Sequence, residues 1–325
     1  MKCITIAFVA LVLGSSCSKN DDAATNTAIE TKQQMRDFVI GISTYAKAIN
    51  PNFYIIPQNG IELVSIDGEN TQQKNNEYLN AIDANGQEDL FYGYDIDNQS
   101  TPTSVNAEIK AFLNLSKNSN KRILVTDYCT TPAKVDDSYA QNSQLGYVSF
   151  AANQRELNAI PTYPIKIYQE NSTVVRTMGQ VKNFLYLINP INYNSKSSFI
   201  NAVTATNYDL LIMDLFFSDG TAFTAAEITE LKKKANGGQR LVVSYMSIGE
   251  AENYRYYWNT SWTTNKPLWL DTENPNWPGN FKVKYWNKDW QTIIYGNENS
   301  YLKKILNTGF DGVYLDIIDA FEYYE

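Results

Sequence analysis

The clearest indication of the fold is the sequence Phe310-Asp-Gly-Val-Tyr-Leu-Asp-Ile-Ile-Asp-Ala-Phe-Glu-Tyr-Tyr-Glu325. Asp311 and Gly312 are turn residues, and the apolar run at 313–315 that follows them predicts a short buried strand. Asp316 stands where that strand should end. Enzymes built on a (β/α)8 barrel carry their catalytic side chains at the carboxyl ends of the strands. Asp316 is therefore a candidate catalytic acid.

Segments with the patterns of strands and helices alternate along the chain, which predicts a parallel sheet flanked by helices. Eight segments have the composition of buried strands, at 184–188, 208–214, 240–248, 281–286, 312–316, 53–58, 88–92 and 123–127. Eight such units fit an α/β fold of the (β/α)8 TIM barrel type, in a single domain at 33–325. A doubly wound open sheet is the alternative.

The pattern is incomplete at both ends. A helical pattern at 35–49 precedes the first strand, and no helix is predicted after the strand at 312–316. Joining the two ends would complete both units, and the termini of a domain commonly lie close together. The irregular stretch at 155–182 would then connect the ancestral termini. We therefore expect a circularly permuted barrel.

The composition excludes several kinds of function. The 325 residues carry a net charge of −8, which argues against nucleic acid as a partner and suits a neutral or cationic ligand. There is no histidine, which excludes Ser-His-Asp and Cys-His catalysis and histidine-ligated zinc. Cysteine clusters and calcium-loop spacings do not occur in the sequence, so neither a metal nor another cofactor is expected. The protein is expected to be a monomer.

The first 32 residues are interpreted as a leader and a tether. A charged start, an apolar run at 4–13 and small residues before Cys17 resemble a bacterial lipoprotein signal. Residues 1–16 would be cleaved and Cys17 would carry lipid, whereas the polar stretch at 17–32 would form a flexible tether. The protein is therefore expected to be secreted and lipid-anchored to a bacterial membrane, at the outer membrane or cell surface. An ordinary secretory signal with an incidental cysteine is the alternative.

Several long motifs resemble glycoside hydrolase family 114, in the bacterial and archaeal branch once labelled as related to cysteinyl-tRNA synthetase. They are Ser247-Ile-Gly-Glu-Ala-Glu-Asn-Tyr-Arg255, Trp277-Pro-Gly-Asn-Phe-Lys-Val-Lys-Tyr-Trp286, Gly309-Phe-Asp-Gly-Val-Tyr-Leu-Asp-Ile-Ile-Asp319, Asn52-Phe-Tyr-Ile-Ile-Pro-Gln-Asn-Gly60 and Glu88-Asp-Leu-Phe-Tyr92. The resemblance covers nearly everything from 33 to 325. Family members have the motifs of 184–319 first and those of 35–150 second, and a permutation accounts for the reversed order. The synthetase label does not suit a chain without histidine, because that enzyme class relies on a histidine-containing nucleotide signature.

The resemblance implies a TIM barrel with endo-α-1,4-polygalactosaminidase activity on a polymer of galactosamine and N-acetylgalactosamine. Glycoside hydrolysis uses two carboxyl groups. Asp316 is the expected nucleophile because of its position at a strand end. Glu88 matches the second acid of the family and is the expected general acid/base. The structural alternative for Asp316 is helix capping. At the second position the alternative is that Asp89, beside Glu88, simply caps or pairs.

Nine further residues are candidates for binding the polysaccharide: Asp214, Glu250, Asp127, Gln58, Asn59, Tyr92, Tyr186, Tyr245 and Trp286. The three acids follow predicted strands and can bind sugar hydroxyls or an ammonium, or they can satisfy a buried tyrosine or arginine. The amides can recognise hydroxyls, and the aromatic rings can stack on sugars or belong to the core. Arg255, near Glu250, is expected to form a structural ion pair.

Two alternative functions are compatible with the same fold. One is a carbohydrate-binding lipoprotein that has lost catalysis, and the other is a glycosidase for a different α-linked polysaccharide. The presence of both Asp316 and Glu88 favours an enzyme over a binding protein. A fold alone does not specify the substrate.

Overall fold

The computed structural model describes residues 19–69 and 71–325, with side chains from residue 30 onward. The predicted signal peptide and Cys17 lie outside the described residues. The helices are α1 (Lys19–Ile49), α2 (Asn76–Ala81), α3 (Thr103–Lys117), α4 (Pro132–Gln144), α5 (Lys196–Thr204), α6 (Ala225–Leu231), α7 (Lys288–Ile294) and α8 (Tyr301–Thr308). The strands are β1 (Tyr54–Pro57), β2 (Ala84–Glu88), β3 (Arg122–Tyr128), β4 (Val148–Ala152), β5 (Phe184–Tyr186), β6 (Leu210–Asp214), β7 (Leu241–Ser247), β8 (Glu250–Glu252), β9 (Leu270–Glu273), β10 (Asn280–Val283) and β11 (Gly312–Asp316).

The strands form two parallel sheets and one antiparallel sheet. The five-stranded parallel sheet has the order β1-β11-β7-β6-β5, and the three-stranded parallel sheet has the order β2-β3-β4. A parallel bridge between Gln58 and Gly86 joins the two sheets, and β4 contacts β5. The antiparallel sheet has the order β8-β10-β9. The fold class is therefore mixed α/β with parallel sheets, as the alternating pattern predicts.

Strand β11 is an interior strand of the larger sheet. It pairs with β1 on one side and with β7 on the other, so that Leu315 faces Pro57 and Asp316 faces Ser247. The ring of Tyr314 packs edge-on against Tyr186, with centroids 5.2 Å apart. A side chain at Gly86 would place its Cβ 2.0 Å from the Tyr314 hydroxyl oxygen, so this position requires glycine.

Two of the eight predicted strands are wrong in position or role. The strand predicted at 88–92 lies at Ala84–Glu88, where Asn85 and Gln87 are buried polar residues rather than an apolar run. The Ser116 hydroxyl donates to the Asn85 amide oxygen, so burial of this polar strand is compensated by side-chain hydrogen bonds. The segment at 281–286 overlaps β10, which belongs to the antiparallel sheet, and the eighth parallel strand is β4 instead.

The tether predicted at 17–32 overlaps α1, which is helical from Lys19. Thr31 and Lys32 are buried, and the Lys32 ammonium lies 2.7 Å from a carboxylate oxygen of Glu325. The Tyr285 hydroxyl donates to the Thr31 carbonyl over 2.8 Å. The packed part of the chain therefore begins before residue 33, because these two residues contact the far end of the sequence.

The connector predicted at 155–182 is irregular, and the structure assigns it one short 3-10 helix at Met178–Gln180. Asn171 anchors it by donating to the Asp209 carboxylate over 2.9 Å. Along the described part of the chain, no helix combines the length and the apolar character needed to cross a membrane.

Candidate active site

A cavity of about 850 Å³ opens at the carboxyl ends of the parallel strands. This central cavity receives one polar side chain from the end of each of seven strands, namely Gln58, Glu88, Tyr128, Tyr186, Asp214, Tyr245 and Asp316. Parallel strands end on the same side of their sheets, which brings residues that are distant in sequence to one place. Its volume is that of a ligand site.

Two carboxylates are held together by one amide. The Nε2 atom of Gln58 donates to Glu88 Oε2 over 2.8 Å and to Asp316 Oδ1 over 3.1 Å. The Tyr186 hydroxyl donates to the Oε1 atom of Gln58 over 3.0 Å and so fixes the direction of the amide. Three residues predicted from the sequence, Gln58, Glu88 and Asp316, are therefore joined in the structure by hydrogen bonds from the Gln58 amide.

Further donors orient both carboxylates. The Tyr245 hydroxyl donates to Asp316 Oδ2 over 2.7 Å, and the Tyr128 hydroxyl donates to Glu88 Oε1. Asn59 donates to Glu88 Oε2 over 3.2 Å. Each carboxylate thus accepts hydrogen bonds on both of its oxygen atoms, which restricts it to one orientation.

Burial raises the pKa of the Asp316 carboxyl group to about 7, and the nearby negative charge of Glu88 contributes in the same direction. Hydrogen bonds from Tyr245 and from the Ile317 backbone act against this shift. Burial and the proximity of Asp316 also raise the pKa of Asp319 well above its usual range. The site can therefore hold or release a proton near neutral pH, as acid–base catalysis requires.

The backbone turns sharply directly after each of the three central residues. Asn59, Asp89 and Ile317, which follow Gln58, Glu88 and Asp316, have φ angles of 58°, 58° and 57°. Asn and Asp tolerate this left-handed conformation, whereas a β-branched residue adopts it only under tertiary constraint.

The constraint on Ile317 includes a close approach by Gly249. A Cβ atom at Gly249 would lie 2.2 Å from the Ile317 carbonyl oxygen and 2.5 Å from the Ala320 Cβ. Glycine at this position therefore allows the turn that follows Asp316.

Arg255 forms a structural ion pair as predicted, but its partners are Asp214 and Glu252 and not the nearby Glu250. The Arg255 guanidinium lies 2.6 Å from Asp214 Oδ2 and 2.6 Å from Glu252 Oε2. Asp214 and Glu252 line the central cavity, but Arg255 occupies oxygen atoms of both. Burial raises the pKa of Asp214, and the charge of Arg255 opposes that rise. Asp214 therefore lines the cavity as part of a buried ion pair with Arg255.

Asp127 and Tyr92, predicted to bind substrate, do not line the central cavity. The Asp127 carboxylate is fully buried and accepts hydrogen bonds from the backbone amides of Phe91 and Tyr92 at 2.8 and 3.2 Å and from Ser138 at 2.6 Å. The Tyr92 hydroxyl donates to Asp137 over 2.6 Å. Both side chains instead fasten the loop after β2 to α4, because their polar atoms find partners inside the protein.

Glu250 and Trp286, also predicted to bind substrate, are likewise absent from the lining of the cavity. Glu250 is fully buried, and its Oε1 atom accepts from Asn274 over 2.8 Å and from Tyr323 over 3.0 Å. The Trp286 ring lies edge-on to Tyr324, with centroids 4.8 Å apart. Both are structural residues here.

Several cavity residues are missing from the sequence-based candidates, among them Tyr128, Arg155, Glu252, Tyr254 and Trp277. Tyr128 ends β3, and Glu252 and Trp277 lie in the quoted motifs, so the sequence could have identified these three residues as candidates. Arg155 lies in the irregular connector, where no periodic pattern identifies it. Its guanidinium lies over the Tyr128 ring at 4.2 Å and forms a 3.0 Å ion pair with Asp89. Asp89 is thus a pairing residue, as the structural alternative for that position suggests.

The sequence model of glycoside-hydrolase family GH114 matches residues 169–324. The match supports the assignment of this segment, which contains Asp316 and Asp214, to family GH114, and it supports glycosidase activity in general. Glu88 and Gln58 lie outside the matched segment, so their equivalence to family residues stays a prediction.

Similar proteins occur in archaea and bacteria. The uncharacterized protein MJ1477 of Methanocaldococcus jannaschii is 42% identical over 158 residues, which cover 48% of this chain and 42% of that protein. An uncharacterized protein of Deinococcus radiodurans is 42% identical over 38% of this chain and 37% of its own length. One of Thermotoga maritima is 40% identical over 38% of this chain and 36% of its own length. The chain thus spans less than half the length of the curated relatives it matches.

Proposed function

We propose that the chain is an endo-acting glycoside hydrolase that cleaves an α-1,4-linked polymer of galactosamine and N-acetylgalactosamine. Asp316 acts as the nucleophile and Glu88 as the general acid/base. The observation that carries the proposal is the Gln58 amide, which bonds both carboxylates at the base of the central cavity. Two carboxyl groups held at a fixed separation are the essential machinery of glycoside hydrolysis.

The distance between the carboxylates favours a retaining mechanism. The bonded oxygen atoms of Glu88 and Asp316 can be no further apart than the 2.8 Å and 3.1 Å hydrogen bonds laid end to end. That limit is shorter than the roughly 6.5 Å at which inverting enzymes begin, and it is compatible with the roughly 5–5.5 Å of retaining enzymes.

In this mechanism, the ionised form of Asp316, which the hydrogen bonds from Tyr245 and the Ile317 backbone favour, attacks the anomeric carbon. The carboxylic acid of Glu88 protonates the departing glycosidic oxygen at the same time. A glycosyl ester with Asp316 forms and one chain fragment leaves. The Glu88 carboxylate then removes a proton from water, which attacks the same carbon and releases Asp316. Both carboxyl groups return to their starting protonation states.

The charge of the cavity supports an amino-sugar substrate. Six carboxyl groups line it, from Glu88, Glu156, Asp214, Glu252, Asp316 and Asp319, against the two guanidinium groups of Arg155 and Arg255. Both arginines are already paired with carboxylates. The excess negative charge attracts the ammonium groups of a partly deacetylated polymer and repels an anionic one.

We also propose that the eight parallel strands close into a circularly permuted TIM barrel. The Gln58–Gly86 bridge joins the two parallel sheets on one side, and β4 contacts β5 on the other. Strand β11 pairs with β1, and α1 packs against the 3-10 helix Ile318–Tyr324 that follows β11. Thus α1 lies where a helix linking β11 to β1 would lie. A rearranged chain with 155–325 placed before 31–154 keeps the buried residues Thr31 and Lys32 and the cavity residue Arg155, and it should fold with the same activity. Its failure to fold would oppose the permutation.

The activity is tested by reducing-end release from a polysaccharide panel that includes partly deacetylated poly-α-1,4-galactosamine. We expect wild type to release oligosaccharides, and Asp316→Asn and Glu88→Gln to lose at least about 10³-fold in rate. Glu230→Gln, an exposed acid on α6, is the matched control and should behave as wild type. The configuration of the first product, followed by NMR, should be that of the substrate linkage.

The competing functions give different results in the same panel. Binding of the polymer without cleavage by wild type would favour the carbohydrate-binding protein. Cleavage of another α-linked polysaccharide, still lost in Asp316→Asn, would keep the mechanism and change the substrate. Unaltered cleavage in Asp316→Asn would refute the assigned nucleophile.

Membrane anchoring through Cys17 stays part of the proposal. The test is the distribution of the full-length protein between membrane and soluble fractions of the producing cells. Cys17→Ser should move the protein from the membrane fraction, and an unchanged distribution would contradict lipidation.

A further inference from the structure

Trp277 differs in its surroundings from the other five tryptophans. Each of those packs against at least one aromatic ring, namely Trp258, Trp262, Trp269, Trp286 and Trp290. Trp277 has no ring contact among the described residues, is 46% exposed, and lines the central cavity. A large apolar ring left partly in water at a cavity wall is a feature that core packing does not explain.

The turn that carries Trp277 is held in place by hydrogen bonds. The Trp277 amide donates to the Asn274 carbonyl over 3.2 Å, and the Asn280 amide donates to the Trp277 carbonyl over 3.0 Å. The Gly279 amide donates to a carboxylate oxygen of Glu273 over 2.7 Å. The indole is therefore presented on an ordered turn, which lowers the entropy cost of binding a ligand.

The buried side chain of Glu250 also holds this turn in place. It is fully buried and accepts a 2.8 Å hydrogen bond from the Asn274 side chain, while its Oε2 atom has no partner among the described residues. The Asn253 amide donates to the Gly279 carbonyl over 2.8 Å, which ties the turn to the segment that carries Glu252 and Tyr254. Glu250 thus affects the cavity by holding the turn that carries Trp277, while its own side chain does not line the cavity.

We propose that Trp277 forms a subsite that binds a hexosamine unit of the polymer away from the bond that is cleaved. The flat indole face offers apolar contact to a sugar ring, and its negative quadrupole attracts an ammonium group. Glu252, which pairs with Asn280 across the antiparallel sheet, adds negative charge to the same wall. This inference rests on the proposed function, because the ligand is the proposed substrate.

The test compares Trp277→Ala and Trp277→Phe with wild type on long partly deacetylated poly-α-1,4-galactosamine. For Trp277→Ala we expect a KM about tenfold higher and an unchanged kcat, since a subsite remote from the reaction contributes equally to ground-state and transition-state binding. Trp277→Phe should recover most of the KM. Leu268→Ala, at a residue 86% exposed and outside the cavity lining, is the control and should leave both constants unchanged.

A binding experiment separates this inference from the proposed function. In the Asp316→Asn background, Trp277→Ala should weaken calorimetric binding of the same polymer about tenfold. An unchanged KM and unchanged binding would overturn the subsite while leaving catalysis intact. A lower kcat at constant KM would also overturn it, because Trp277 would then act at the reacting bond. If wild type does not cleave the polymer but Trp277→Ala still lowers the affinity of the Asp316→Asn protein, the proposed enzyme activity is refuted and the subsite is retained. Absence of cleavage by wild type together with absence of binding by the Asp316→Asn protein would overturn both.

Discussion

Substitution of Gly249 by alanine should disturb catalysis through the turn that follows Asp316. The added Cβ would lie 2.2 Å from the carbonyl oxygen of Ile317 and 2.7 Å from its Cγ2 atom. It would also lie 2.5 Å from the Ala320 Cβ, so the obstruction comes from a backbone and a short side chain that cannot rotate away. The strained left-handed turn at Ile317 would have to move.

The size of the effect follows from these distances. An ordinary contact begins near 3.4 Å, so the Ile317 carbonyl must retreat by about 1 Å. Asp316 is the preceding residue, and a displacement of about 1 Å of a catalytic group costs about 10²-fold in rate. We expect kcat to fall about 10²-fold with a small change in KM. Overpacking should lower the free energy of unfolding by about 1–3 kcal/mol.

The assay is hydrolysis of partly deacetylated poly-α-1,4-galactosamine, combined with urea unfolding followed by tryptophan fluorescence. Gly179→Ala is the matched control, because its Cβ would have no neighbour closer than 3.9 Å. Wild-type kcat in a folded Gly249→Ala protein would refute the view that this contact positions Asp316. Loss of activity in Gly179→Ala as well would point to a general effect of replacing glycine.

Three further predictions concern the carboxylates. Because the folded protein holds the proton of Asp316 more tightly than the unfolded chain does, this stabilisation is complete below about pH 4 and is lost as the pH rises to about 7. The unfolding free energy of wild type should therefore fall relative to Asp316→Asn by up to about 1.4 kcal/mol per pH unit in that window, and parallel curves would contradict the raised pKa. Gln58→Leu removes the donor shared by Glu88 and Asp316, so the acidic limb of the pH–rate profile should move to higher pH and kcat should fall about 10²-fold; an unshifted limb would argue against the shared bond. Asp127→Asn should cost about 3 kcal/mol of stability at unchanged KM, measured by urea unfolding and initial rates, whereas a raised KM would restore Asp127 as a substrate ligand.

The sequence was most informative where hydrophobic pattern and turn chemistry agree. The strands at 210–214, 241–247 and 312–316 follow apolar runs that end in polar residues, and the structure has them as parallel neighbours. The strand predicted at 88–92 begins four residues after the start of β2, because the sequence of β2 is polar. Only the contacts of β2 with neighbouring strands and with Ser116 make it a buried strand. Local pattern cannot reveal burial that depends on distant partners.

For the site, candidates of the same residue type could not be ranked from the sequence. Glu250 and Glu252 are two residues apart on β8, yet only Glu252 lines the cavity, because Asn274 and Tyr323 take up Glu250. Asp127 lies one residue before the end of β3, and Asp214 ends β6, but four donors from the adjacent loop and α4 hold Asp127 inside the protein. The role of each carboxylate depends on the hydrogen-bond donors that surround it, and these donors come from distant parts of the chain.

The amino-acid sequence alone therefore establishes the α/β class, the exclusion of histidine chemistry and the presence of an acid at the end of a buried strand. The tertiary structure decides that Gln58, Glu88 and Asp316 meet, although Gln58 and Asp316 are separated by 258 positions in sequence. The physical reason is that strand pairing brings together the carboxyl ends of β1, β2 and β11, and burial among them raises the pKa of Asp316. The residue types determine which chemical groups the chain carries, and the packing of the strands determines which of these groups lie in one site.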